Sequence, residues 1–246
     1  MDMISKKSIM NRLLCVRMTL DNVLYISYAV PVTELRKLVP EPLQLVTVGK
    51  DLAFISVVIL RSTKVRLRLL PFLHFNYNQL NIRTYVIDPV TGQHAVYFLF
   101  SGVTSSFISI ATRMLGIPWQ FIDLGIDVNS FEKPDSYLAS GNWLGHYYIK
   151  SQRLLVDSKE PPFFENRKTA VDFLIRPLIG FIGDNRRPGR FNIQHPDTEP
   201  QSWHLTELDF PLFMDLCVID DLKNPHSVFF LPTADFSIYL PPKTIK

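Results

Sequence analysis

Only two cysteines occur in the 246 residues, Cys15 and Cys217. They lie far apart and show no metal-type spacing, which excludes a disulfide scaffold and a cysteine-based zinc site. One disulfide is possible; two free thiols, as in a cytosolic protein, are the expectation. Glycine is scarce at 10, and the chain has no glycine-rich phosphate loop and no dinucleotide fingerprint. A nucleophile elbow and a zinc signature are also missing. No run approaches the ~18 to 20 uninterrupted apolar residues of a membrane-spanning helix. Neither sign of charge accumulates: 26 basic and 23 acidic residues are interspersed, for a net charge of +3. Nucleic acid usually calls for a concentrated basic stripe, so it is not an expected partner. Met1 to Met10 are polar, with Lys6 and Lys7 and no apolar stretch behind them. No signal peptide is therefore expected, and a cytoplasmic location is.

What the chain has is apolar mass: 47% hydrophobic and 12% aromatic residues, enough to bury a sizeable core. One stretch breaks the apolar pattern. From Asn78 the sequence alternates strictly, with Asn78, Leu80, Ile82, Thr84 and Val86 on one face and Gln79, Asn81, Arg83 and Tyr85 on the other. Period 2 is the signature of a strand. Its polar face carries two amides, a guanidinium and a phenol, all groups that form directed hydrogen bonds. The neighbouring strands are nearly all apolar, which places this one in mid-sheet. A polar face there meets water or lines a cavity.

Around it, Leu13–Val30 reads as a strand broken at Asp21-Asn22. Val32–Val39 reads as a short helix capped by Thr33 and stopped by Pro40 and Pro42. Leu52–Leu60 is an apolar strand. Asp88-Pro89-Val90-Thr91-Gly92 is a hairpin turn leading to a partner strand, His94–Phe100. Thr104–Leu115 is the best helix, capped by Ser105, with Phe107, Ile108, Ala111, Met114 and Leu115 at helical spacing. Phe121–Val128, Tyr137–Lys150 and Ser151–Val156 read as strands. Ala170–Ile182 fits helix or strand. Five short strands or edges follow, from Phe191 to Leu240. Many short strands with one or two helices predict an α+β fold, mostly β, of barrel or sandwich type. A loose tail over residues 1–11 and one domain over 12–246 are expected.

Isolated chemistry is sparse. The six histidines show no i, i+4 pairing, and His226-Ser227 has no third member that the sequence can place. Lys64, Arg66 and Arg68 alternate with Val65, Leu67 and Leu69, which reads as an edge strand with a solvated basic face or as a membrane- or anion-facing lid.

Three stretches together resemble the acetoacetate decarboxylase superfamily. Tyr28 through Glu34-Leu35-Arg36-Lys37-Leu38-Val39-Pro40-Glu41-Pro42-Leu43 is similar to its early helix and Val-Pro-Glu-Pro-Leu stop. Leu115-Gly116-Ile117-Pro118 is similar to the segment closing its helix, and Arg176-Pro177 with the turn Asn185–Arg190 to its Arg-Pro strand and Gly-Pro-Arg turn. Asn81-Ile82-Arg83-Thr84-Tyr85-Val86 and Phe236-Ser237-Ile238-Tyr239-Leu240-Pro241-Pro242 look still more like a related bacterial branch of unknown function that shares the barrel. The resemblance covers roughly residues 12 to 242 and implies an acetoacetate decarboxylase-like β-barrel with flanking strands.

The family's chemistry is a Schiff base on a lysine of lowered pKa. Carried over, that lysine falls at Arg113 and the lysine beside it at Met114. Arginine stays protonated and forms no imine under such conditions. The family's two barrel glutamates fall near Ile55 and at Gln79, and its substrate-binding arginine near Asp21. Schiff-base decarboxylation is therefore not expected, while the fold inference survives. The same comparison turns Gln79, Asn81, Arg83 and Tyr85 into the cavity, with Arg113 as a further candidate. No cofactor and no metal is implied.

Three functions remain open: binding of a small keto acid-like anion by Arg83; a lyase of the same superfamily acting through enolate stabilisation by Arg83 and Tyr85; and a structural or interaction protein, with homo-oligomer contacts through apolar strands. The opposing reading of Arg83 is a structural polar network, in which it bonds backbone carbonyls and a carboxylate and fixes the barrel.

Overall fold

A computed structural model describes residues 15–68, 70, 72–130, 132–155, 161–183, 188–212 and 221–245. The expected tail over 1–11 and Cys217 lie outside these; Cys15 is a buried free thiol. In chain order the elements are β1 Cys15–Pro31, α1 Val32–Arg36, β2 Gln44–Leu45, β3 Thr47–Val48, β4 Leu52–Leu67, β5 Phe75–Ile87 and β6 His94–Val103. Then come α2 Ser106–Met114, β7 Gln120–Phe121, β8 Asp123–Val128, β9 Ser136–Asn142, β10 His146–Arg153 and α3 Arg167–Leu174. The chain ends with β11 Ile179–Ile182, β12 Gly189–Gln194, β13 Gln201–Asp209, β14 Ser227–Tyr239 and β15 Lys243–Thr244. No helix among the described residues is long and apolar enough to cross a membrane.

The protein is mostly β, as its pattern predicts. Strands β12, β11, β6, β5, β4, β1 and β14 pair in that order, and a β12–β14 pairing joins the two ends into an uneven ring. From β14 the sheet continues outward through β13, β10, β9 and β8 as a wing. The wing folds back on the ring, so the ring strands β1, β4 and β5 are buried on both faces over most of their length. Leu24, Ile26, Val57, Ile59, Leu80 and Ile82 pack outward against Leu124, Ile126, Tyr147 and Ile149 of the wing. Val58, Leu60, Tyr77, Tyr85, Val96 and Phe229 pack inward. Each such side chain contributes about 1.5 to 3 kcal/mol by leaving water.

Local signals are met with instructive shifts. Asp21-Asn22 does not break β1 but makes a bulge: the register to β4 slips between Asp21 and Leu24, and Asn22 takes a φ of 54°. A bulge absorbs the extra residue without ending the strand. α1 is capped by no side chain, Thr33 lying inside the helix rather than before it. The stretch from Lys64 is not a separate edge strand. It is the end of β4, paired to β1 at Arg66 and Leu67 and to β5 at Val65. Tyr137–Lys150 divides at the turn around Trp143–Gly145, where Gly145 has a φ of 134° that a side chain would disfavour. The ambiguous Ala170–Ile182 is both: the end of α3, then β11.

α2 starts where its cap predicts, with Ser105 Oγ accepting from Ile108 N at 3.3 Å. Its apolar stripe, however, meets the core through Ile108 and otherwise lies largely outside it. Phe107, Met114 and Leu115 are exposed, and Ser109 is the buried residue.

Candidate functional site

β5 runs between β4 and β6 in the ring, so its alternation puts one face against the wing and the other toward the enclosed space. Gln79, Asn81 and Arg83 line a cavity of about 80 Å³ there, with Tyr25, Phe98, Ile117, Trp119 and Phe236 among the apolar walls. That is about half the ~150 Å³ void that admits benzene, and suits a molecule of a few carbons. Gln79 Nε2 donates to Asn81 Oδ1 at 2.9 Å, which aligns the two amides side by side. A second cavity, of about 50 Å³, adjoins it and shares Leu20, Tyr25, Arg83, Phe98, Ile193 and Phe236. Arg83 thus borders both.

Arg83 is 8% exposed. Its Nη2 donates to the Leu174 carbonyl at 2.6 Å, and Tyr85 Oη donates to the same oxygen at 2.8 Å. Leu174 ends α3, so this carbonyl is one that the helix leaves unsatisfied, and the two donors fill its lone pairs. The partial negative charge of a helix C-terminus favours a cation there. The guanidinium also lies 5.4 Å from the Tyr25 ring and 5.8 Å from the Tyr85 ring, within cation–π range. Its Nε is buried and has no hydrogen-bond partner among the described residues.

No carboxylate among the described residues pairs with Arg83. Among the described residues, Asp88, Asp172 and Glu207 are engaged elsewhere. Asp88, fully buried, is bound by Arg190 Nη2 at 3.0 Å and by Thr91 Oγ1 at 2.6 Å. Burial works to raise its pKa, but the hydrogen bonds from Arg190, Thr91 and the Val90 amide outweigh it and leave the carboxyl below its usual value. Asp172 pairs with Arg176 and Lys168, and Glu207 with Lys150. Glu165 is exposed.

The other two candidates stand apart from the cavities. Tyr85 is fully buried beneath Arg83. Its hydroxyl is spent on Leu174 and, at 2.8 Å, on Ser56 Oγ, so it positions rather than lines. Arg113 is exposed at the end of α2 and lines neither cavity. Ile55 points into the core between ring and wing, on the face of β4 opposite the cavity, and Asp21 accepts from Thr63 and Thr233. Among the described residues, neither cavity lining includes a lysine.

Alternation alone misses Tyr25. On β1, Leu20 and Tyr25 differ in parity yet share the enclosed face, because the bulge after Asp21 shifts the phase by one. The Asn22 turn signal was the available clue.

His94 sits at the start of β6, its ring stacked on Tyr85 at 5.6 Å and tilted on Phe173 at 4.3 Å. Burial pushes its pKa down to about 4, and the Arg83 charge adds to the shift. Above pH ~6.5 the imidazole is neutral in folded and unfolded chains alike. Below that the unfolded chain takes the proton first, so stability falls as pH drops from ~6.5 to about 4, by on the order of 3 kcal/mol. Urea titrations at pH 7, 5.5 and 4.5 should show this slope, and His94→Phe should flatten it. An unchanged slope in that variant would assign the loss to other groups.

The DUF2071 family, described as uncharacterized conserved proteins, matches residues 17–235. The chain belongs to that family. No curated protein matches it by sequence. Among solved structures, the enduracididine biosynthesis enzyme MppR complexed with pyruvate superposes with a TM-score of 0.62 at 13% identity, over 94% of this chain and 90% of the other. An acetoacetate decarboxylase-like enzyme from Sphingomonas wittichii RW1 gives 0.60 at 11%, over 95% and 94%. The acetoacetate decarboxylase of Legionella pneumophila gives 0.61 at 10%, over 94% and 87%. At such identities the likeness is one of fold. This DUF2071 chain therefore has the acetoacetate decarboxylase-like fold that its motifs resemble.

Proposed function

We propose that this DUF2071 protein binds a small organic anion of the keto acid kind, with the carboxylate on Arg83 inside the ring. The observation that carries the reading is a guanidinium buried without a carboxylate partner among the described residues, facing two small cavities. A buried charge costs several kcal/mol unless it is paired. The Leu174 carbonyl and two tyrosine rings offset part of that cost, and an acid in the cavity would supply the rest. Asn81 and Gln79 stand beside Arg83 to orient a neighbouring carbonyl oxygen. The fold's likeness to MppR, whose structure holds pyruvate, agrees with a ligand of this size. Isothermal titration with pyruvate, acetoacetate and 2-oxobutyrate tests it: saturable one-to-one binding is expected, and heats no larger than dilution for every acid would end the reading.

Binding without a Schiff base is the form favoured here. Among the described residues, no lysine, histidine, aspartate or glutamate lines the cavity that holds Gln79 and Asn81. Imine formation needs a lysine, and enolate chemistry needs a proton acceptor within hydrogen-bond reach. Borohydride added with acetoacetate should leave the protein mass unchanged. A stoichiometric reduced adduct on any lysine would overturn this.

A further inference from the structure

The ring closes by a short seam. β12 pairs with β14 at Ile193↔Ile238 and Gln194↔Ser237, and there this ladder ends: the next residues, His195 and Phe236, do not pair with each other, while Phe236 pairs with Met18 of β1. Their rings stack across the gap instead, 5.8 Å apart and within 6° of parallel. His195 Nδ1 donates to the Pro196 carbonyl at 3.0 Å, and its Nε2 is buried with no partner among the described residues. On the inner side of this pair lies the smaller cavity, bordered by Arg83. On the outer side lies an open basin of about 670 Å³, lined by the same two rings together with Arg17, Lys64, Arg66 and Asp235. Phe236 borders all three spaces.

Among the described residues, the basin carries three cations against one carboxylate. Arg17 and Arg66 stand directly opposite each other on β1 and β4. Like charges so placed destabilise a sheet. Neither makes an ion pair among the described residues. A concave site with unpaired guanidinium groups matches a compact anion better than a flat acidic membrane, because forked donors grip a carboxylate or phosphate in two bonds. We infer that the ligand is a small dianion lying through the seam, with one carboxylate on Arg83 and its second acidic group on Arg17, Lys64 and Arg66. The His195–Phe236 pair is the door it parts. This rests on the reading that Arg83 takes a carboxylate, and it adds the substrate class.

The test compares 2-oxo monoacids with 2-oxo diacids of matched chain length by titration calorimetry, on the wild type and on Arg17→Gln/Arg66→Gln. Both side chains are exposed, so the double variant should fold, and Lys64→Glu is the second variant if it does not. The wild type should bind the best-fitting diacid at least about tenfold tighter than its monoacid. The double variant should lose that preference and keep the monoacid affinity. A wild type without diacid preference, a preference surviving in the variant, or an equal loss for both acids would each overturn the dianion. Monoacid binding would in those cases still leave the Arg83 reading standing, whereas failure of every acid to bind the wild type would remove both.

Discussion

Arg83→Met should abolish binding of small carboxylates and leave thermal stability nearly unchanged. The guanidinium bonds one carbonyl, Leu174, which keeps the Tyr85 hydroxyl when Arg83 is gone. No buried carboxylate is orphaned among the described residues, since Asp88 belongs to Arg190. The charge-assisted hydrogen bond lost is worth about 1.5 to 3 kcal/mol, offset by removal of the partly uncompensated buried charge and by the apolar contact methionine returns to Tyr25 and Phe98. The net change in stability should therefore stay within about 1.5 kcal/mol of zero. Had Arg83 been half of a buried ion pair, the same substitution would cost about 3 to 5 kcal/mol. Melts of both proteins, with and without keto acids, separate the cases. A loss in that larger range, joined to no ligand shift in the wild type, would leave Arg83 a structural residue. The same variant should also raise the His94 pKa, because the Arg83 charge is the second cause of its depression.

Phe54→Ala should be the most damaging single change near the site. Phe54 is fully buried on β4 and is the hub of an aromatic cluster. Its ring stacks on Phe164 at 5.5 Å, meets Phe173 of α3 at 5.7 Å and lies 4.7 Å from His226. Through Phe173 it seats α3, whose last carbonyl holds Arg83. A large-to-small change at such a position loses the transfer energy of the ring and leaves a void, together about 3 to 5 kcal/mol. For a chain of this size that lowers the melting temperature by roughly 10 °C. Keto acid affinity should fall as well, since Leu174 would no longer be fixed against Arg83. Phe54→Leu refills most of the volume and should cost less than half as much. Chemical denaturation of the three proteins checks the order, and an alanine cost below about 1.5 kcal/mol would mean that α3 is held by other contacts.

Much of this molecule is local, and local patterns are legible. The alternation from Asn78 makes β5 and assigns its two faces before any partner is known, because side chains on a strand must alternate. Asp88 through Gly92 turns the chain since Asp88 can accept from Val90 N and Thr91 while Gly92 takes a φ of 71°. Ser105 starts α2 by satisfying a free amide. The motifs at Val39–Leu43 and Asn81–Val86 carried the family and with it the fold. What tertiary structure alone decided is which group meets which. That Arg83 faces a helix end 91 residues away instead of Asp88 depends on how α3 docks. That Tyr25 joins the cavity depends on a bulge that resets the phase of β1. Arg113 sits on a helix whose apolar stripe looks like core by spacing and is largely exposed in the folded chain. Arg17 and Arg66, 49 positions apart by their numbers, become neighbours through the β1–β4 register. Periodicity records a residue's face within its own element, and charge partners and cavities arise between elements, where loop closure and packing choose the pairing.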